Sequence, residues 1–80
     1  MTISLNERIS ASIRYLLTAT KSKQKELVHF MKVSPSALSQ KMNNRLQWTA
    51  ADIEKAAEFF GVEPAVLVAG HGFEPWTSGL

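Results

Sequence analysis

Apolar residues recur along this chain at the spacing of a helix, and nowhere at the alternation of a half-buried strand. Ile9, Ile13, Leu16 and Leu17 fall at i, i+4, i+7 and i+8, the stripe of a first helix that begins near Ser4. Ser4 and Glu7 have the spacing of a capping box, in which each side chain satisfies the other residue's free backbone N–H. Thr18 to Ser22 is polar and reads as a connection. A second, short helix is predicted from Gln24 to about Met31, with Leu27, Val28 and Met31 inward and Phe30 at the edge of the core. Lys32-Val33-Ser34 leaves room only for a turn.

Ser34-Pro35 is a strong helix start. The hydroxyl can cap an orphan N–H, and proline at the first helical position has no N–H to lose. This third helix runs to about Asn43, with Ala37, Leu38 and Met42 inward. Asn43-Asn44 closes it, because asparagine tolerates the left-handed conformation that ends helices. Thr49 and Asp52 begin a fourth helix with a variant capping box, Ile53, Ala56, Ala57 and Phe60 form its stripe, and Gly61 ends it. Trp48, in the preceding loop, is expected between the third and fourth helices. Glu63-Pro64 opens a fifth helix to about Ala69, stopped by Gly70. The pattern predicts an all-α, five-helix domain over residues 1–70 and a C-terminal tail, 71–80, without periodicity. Phe73, Trp76 and Leu80 in that tail either fold back over the core or form a dimer contact.

Eighty residues, 45% of them hydrophobic, suit one small domain. With no cysteine, neither a disulfide framework nor a thiolate metal site can hold it together. The start, MTISLNERIS, lacks the basic and apolar regions of a secretory signal, and the longest apolar run, Ala65 to Ala69, is far too short to span a bilayer. A soluble, intracellular protein is expected. Charge sharpens the picture. Lys21 to Arg45 holds six basic residues and one acid, whereas Leu46 onward holds one base and five acids. A basic middle beside an acidic end suits a face built for a polyanion, although a solvated lysine face would give the same counts.

Candidate chemistry then concentrates on the third helix. If its aliphatic side is buried, Pro35, Ser36, Ser39, Gln40 and Asn43 lie on the outer face. Amides can pair with the adenine edge in a major groove and serine with any base, so these are the expected base contacts. No acid lies between Met31 and Asp52, as close approach to phosphate requires. Expected phosphate contacts are Lys21, Lys23 and Gln24 at the start of the second helix, Ser34 in the turn, and Lys41 and Arg45 at the far end of the third. Asn44 either touches phosphate or only terminates the helix. His29 and His71 have no partners at metal-ligand spacing, and the serines have no His-and-acid set. No cofactor, metal or enzymatic activity is expected.

The stretch QKELVHFMKVSPSALSQKMNN, followed by WTAADIEKAAEFFGVEPAVLV, resembles the Cro/cI-type (lambda-repressor-like) helix-turn-helix family, in its phage and actinobacterial variant. The resemblance covers about residues 5 to 69. It implies a compact domain with the helix-turn-helix at helices two and three, spanning roughly Gln24 to Asn43. It also implies a phosphate contact for Gln24 and interhelical packing for Leu27, Val28, Val33 and Leu38. The terminal GVEPAVL matches a short helix near the dimer contact, which makes Val62, Val66, Phe73 and Trp76 candidates for it. Two positions depart from the family pattern: Lys32 stands where glycine is common in the turn, and Val28 where alanine is usual.

The expected function is a sequence-specific regulator of double-stranded DNA in the bacterial cytoplasm, a Cro-like repressor that occupies an operator and excludes polymerase. Its useful affinity would come from two copies, paired either in solution or only on DNA, on half-sites about one helical turn apart. The rival expectations are an antitoxin-type or other protein-interaction module on the same fold, and an excisionase-like architectural binder that bends DNA.

Overall fold

A computed structural model describes residues 4–69. In chain order these form α1 (Leu5–Ala19), α2 (Gln24–Met31), α3 (Pro35–Met42), α4 (Ala50–Phe60) and α5 (Pro64–Ala69), with no strand among the described residues. Both predicted boxes form at the helix starts. Glu7 N donates to Ser4 Oγ at 3.1 Å and Ser4 N to Glu7 Oε1 at 2.9 Å; Asp52 N donates to Thr49 Oγ1 at 3.1 Å and Thr49 N to Asp52 Oδ2 at 2.9 Å. At α2, Lys23 N donates to Glu26 Oε1 at 2.7 Å, but an ammonium has no lone pair to return the bond, so only half of the box exists there.

The first four helices end by one device. A single residue turns left-handed, and the next N–H reaches back to the carbonyl five positions earlier. The left-handed residues are Lys21, Lys32, Asn44 and Gly61, with φ of 56°, 58°, 65° and 70°. The closing bonds are Ser22 N to Leu17 O (2.8 Å), Val33 N to Val28 O (3.4 Å), Arg45 N to Gln40 O (2.8 Å) and Val62 N to Ala57 O (3.0 Å). Only the last of these turns has glycine. Lys21, Lys32 and Asn44 hold a conformation that costs a non-glycine residue about 1 kcal/mol, a cost the closing bonds and packing offset. Left-handed Lys32 is what makes the α2–α3 turn so short.

The core is one cluster fed by every helix. Ile9, Ile13, Leu16 and Leu17 of α1 meet Leu27 and Met31 of α2, Leu38 and Met42 of α3, Ala56 and Ala57 of α4, and Leu67 of α5. Helix α1 is its spine, packed against α3, α4 and α5. The stripes read from sequence hold, with a graded rim: Val28, Ala37, Ile53 and Phe60 are only half-buried. Phe30 remains 41% exposed, its ring set edge-on to Phe59 at 5.4 Å.

Two features depart from the expected packing. Trp48 is buried, but its polar anchors are on α1 rather than on α3 or α4: its Nε1 donates to Ser10 Oγ at 2.9 Å and its backbone N to Asn6 Oδ1 at 2.8 Å. A buried indole N–H needs an acceptor, and α1 supplies the one it finds. Ser10 and Ser12 are themselves buried in α1 beside the apolar stripe, Ser12 bonding Leu67 O at 3.0 Å and so tying α1 to α5. No described helix is long and apolar enough to cross a membrane.

Candidate nucleic-acid interface

Helices α2 and α3 present the unit built from local signals. Ser34 is extended (φ −76°, ψ 150°), its Oγ accepts from Ala37 N at 3.0 Å, and Pro35 occupies the first helical position. Leu38 and Met42 are buried, which fixes the opposite face of α3 toward solvent. Pro35, Ser36, Gln40 and Asn43 are exposed there, and Ser39 is half-buried. Along this face the polar groups pair one turn apart. Gln40 Nε2 donates to Ser36 Oγ at 3.3 Å, and Asn43 Nδ2 lies 3.5 Å from Ser39 Oγ. Each amide thus lies beside a hydroxyl one turn earlier. Two such rows, free of acids, offer both donors and acceptors on one face of the helix.

Lys21, Lys23, Gln24 and Lys25 are all exposed around the start of α2, as Arg45 is beyond the end of α3. Ser34 keeps its hydroxyl proton while accepting the cap bond, so it can still donate outward.

Two expected phosphate contacts are engaged elsewhere. Lys41 Nζ donates to Asp52 Oδ2, with only 14% of its side chain exposed. The carboxylate that holds it also caps α4, so the pair ties α3 to the next helix. Burial pushes the Asp52 pKa up, but the bonds from Lys41 and Thr49 outweigh that and hold it below its ordinary value. Asn44 is the left-handed terminator of α3, and its Oδ1 accepts from Ser10 Oγ (2.7 Å) and Asn6 Nδ2 (3.2 Å). Of its two open roles, the structure shows the terminator. Lys41 is thus held against α4, whereas Asn44 is exposed with its side-chain oxygen bonded to α1.

This geometry, two short helices about a left-handed turn with the second turned polar side out, is the helix-turn-helix arrangement. The chain belongs to the BetR domain family, whose model matches residues 4–79. That family is one of small helical domains of helix-turn-helix type that bind DNA. No curated protein and no solved structure matches the chain.

In this BetR domain the site also contains residues that local pattern did not reveal. A helix ends with four carbonyls lacking intrahelical partners. In α3, Ser39 O accepts from Asn43 N, and Gln40 O from Arg45 N. Lys41 O accepts from Asn44 N at 3.1 Å and lies 3.0 Å from Ser10 Oγ, while Met42 O accepts from Arg14 Nη2 at 3.0 Å. Arg14 also places a cation at the negative end of the α3 dipole. The only advance sign of these partners is a polar stripe at i, i+4 and i+8 on α1: Asn6, Ser10, Arg14.

Of the proposed dimer contacts, Val62 and Val66 are half-buried, Val62 against the core, while Phe73 and Trp76 lie outside the described residues, as do Leu80 and His71. His29 is exposed, and among the described residues no three His, Cys, Asp or Glu side chains gather as a metal site would need.

Proposed function

We propose that this BetR domain is a sequence-specific transcriptional regulator of the Cro-like phage repressor kind, reading operator half-sites with α3 in the major groove. The observation that carries this reading is the outer face of α3: Ser36–Gln40 and Ser39–Asn43 pairs of hydroxyls and amides, with no acidic residue between Met31 and Asp52. Pro35, Ser36, Ser39, Gln40 and Asn43 contact base edges, where bidentate amides discriminate adenine. Lys21, Lys23, Gln24, Ser34 and Arg45 neutralise or bind phosphates and set the register. Eight residues of α3 reach only a few base pairs, so two copies on half-sites about one helical turn apart supply useful affinity. The domain acts by occupancy in the bacterial cytoplasm and not by catalysis.

Substitution separates the two kinds of contact. Gln40→Ala lowers binding to the selected operator more than binding to random duplex. Lys23→Ala weakens both about equally and reduces the slope of log affinity against log salt by about 1. Equal losses from both substitutions would sink the division of roles. Selection of bound duplexes from a random pool should yield a palindromic consensus; enrichment of bent sequences without a consensus would favour architectural binding instead.

A further inference from the structure

We infer that Asn6, Ser10 and Arg14 of α1 form a positioning stripe that sets how α3 and Arg45 are presented, and so controls sequence selectivity without touching DNA; this rests on the DNA reading above. The three residues stand one turn apart and share no common partner type except the far end of α3 and the loop after it. Arg14 holds Met42 O, and Ser10 reaches Lys41 O and Asn44 Oδ1. Asn6 bonds Asn44 Oδ1, Leu46 O (3.4 Å) and Trp48 N.

Ser10 is the hub. Its hydroxyl has one proton to give, shared between Asn44 Oδ1 at 2.7 Å and Lys41 O at 3.0 Å, and it accepts from the Trp48 indole. With Ser10 only 3% exposed, water has little access to replace these bonds. Arg45 sits between the pinned residues Asn44 and Leu46, and its own N–H is tied to Gln40 O. The backbone that carries Gln40, Asn43 and Arg45 is therefore aimed by α1. Packing of Leu38 and Met42 fixes where α3 lies, and at its C-terminal turn these hydrogen bonds act together with the Lys41–Asp52 pair.

The matched test deletes the same atom at two places on one helix. Ser10→Ala removes a hydroxyl aimed at α3; Ser12→Ala removes a buried hydroxyl aimed at Leu67 in α5. The readout is the ratio of affinity for the selected operator to affinity for random duplex, measured well below the melting temperature of each variant. A general loss of folded protein lowers both affinities together and leaves the ratio unchanged. Ser10→Ala should reduce the ratio about fivefold, the worth of one hydrogen bond, with random-duplex affinity nearly intact, whereas Ser12→Ala should leave it unchanged. Asn6→Ala, at a half-buried site, should behave like Ser10→Ala. A readout without DNA accompanies these: exchange of the Arg45 amide hydrogen should accelerate in Ser10→Ala and not in Ser12→Ala. If the wild-type chain discriminates between duplexes and the two serine variants keep the same ratio, the positioning role is overturned while the DNA reading stands. If the wild-type chain shows no preference among duplexes, both are overturned.

Discussion

At its N-terminus α3 is fastened by its immediate neighbours in sequence; at its C-terminus it is fastened by another helix. Ser34 caps Ala37 three residues on, and Pro35 supplies its own helical φ. At the other end Ser10 and Arg14 reach carbonyls 31 and 28 residues away, and Lys41 is anchored through Asp52 of α4. A locally capped end keeps its form while the rest of the domain breathes. A tertiary-clamped end reports on the whole fold, because it loosens when α1 or α4 shifts. The two ends of α3 should therefore respond differently when the rest of the domain is perturbed.

The largest effect is expected at the clamped end. Asp52→Asn keeps an acceptor for Thr49 N but leaves the Lys41 ammonium half-buried without its counter-charge. Chemical denaturation near neutral pH should show a loss of about 2 kcal/mol. The sign with pH follows from the lowered Asp52 pKa. The stabilisation is complete above the unfolded carboxyl value of 3.8 and disappears as the pH falls through the lower, folded value. The gap between the wild-type chain and Asp52→Asn should therefore narrow in that acid range. A gap independent of pH would mean that the charge pair contributes nothing.

These two ends also differ in how legible they are in the sequence. Ser34-Pro35, the Ser4–Glu7 and Thr49–Asp52 boxes and the Asn44 stop are read correctly because each acts within five residues, where spacing alone fixes geometry. The apolar stripes are read correctly because burial and helical period coincide. Ser10 escapes such a reading: a serine between Ile9 and Ile13 looks like a surface position, and its partners are a backbone carbonyl and an asparagine with no complementary signature. Lys41 looks like the other lysines of the basic segment, and only the fold brings Asp52, 11 residues on, against it. Trp48 is recognisable as a core residue, but the helix that receives its N–H is not. Charge counting overstates the free rim for the same reason, since a cation spent on an internal pair counts the same as one facing solvent.

The locally capped end should yield less. Ser34→Ala deletes one cap bond on an exposed turn and should cost about 1 kcal/mol, with no dependence on pH across the range where Asp52 titrates. Thermal and chemical denaturation of both variants in parallel, at neutral and acid pH, measure the comparison directly. Equal pH dependence in the two would show that the ends are coupled rather than separately fastened.

The smallest effect concerns the turn that joins the fastened end of α3 to α2. Lys32 is left-handed, so Lys32→Gly relieves about 1 kcal/mol of backbone strain. The more flexible glycine also raises the entropy of the unfolded chain, which takes back about 0.4–1 kcal/mol. The side chain is exposed, with no cap bond or salt bridge to lose. The net change in stability should be a gain of at most about 0.5 kcal/mol, seen as a small rise in melting temperature. A loss of about 1 kcal/mol or more would show that the Lys32 side chain holds the turn closed, and that the N-terminal end of α3 depends on contacts beyond its own cap.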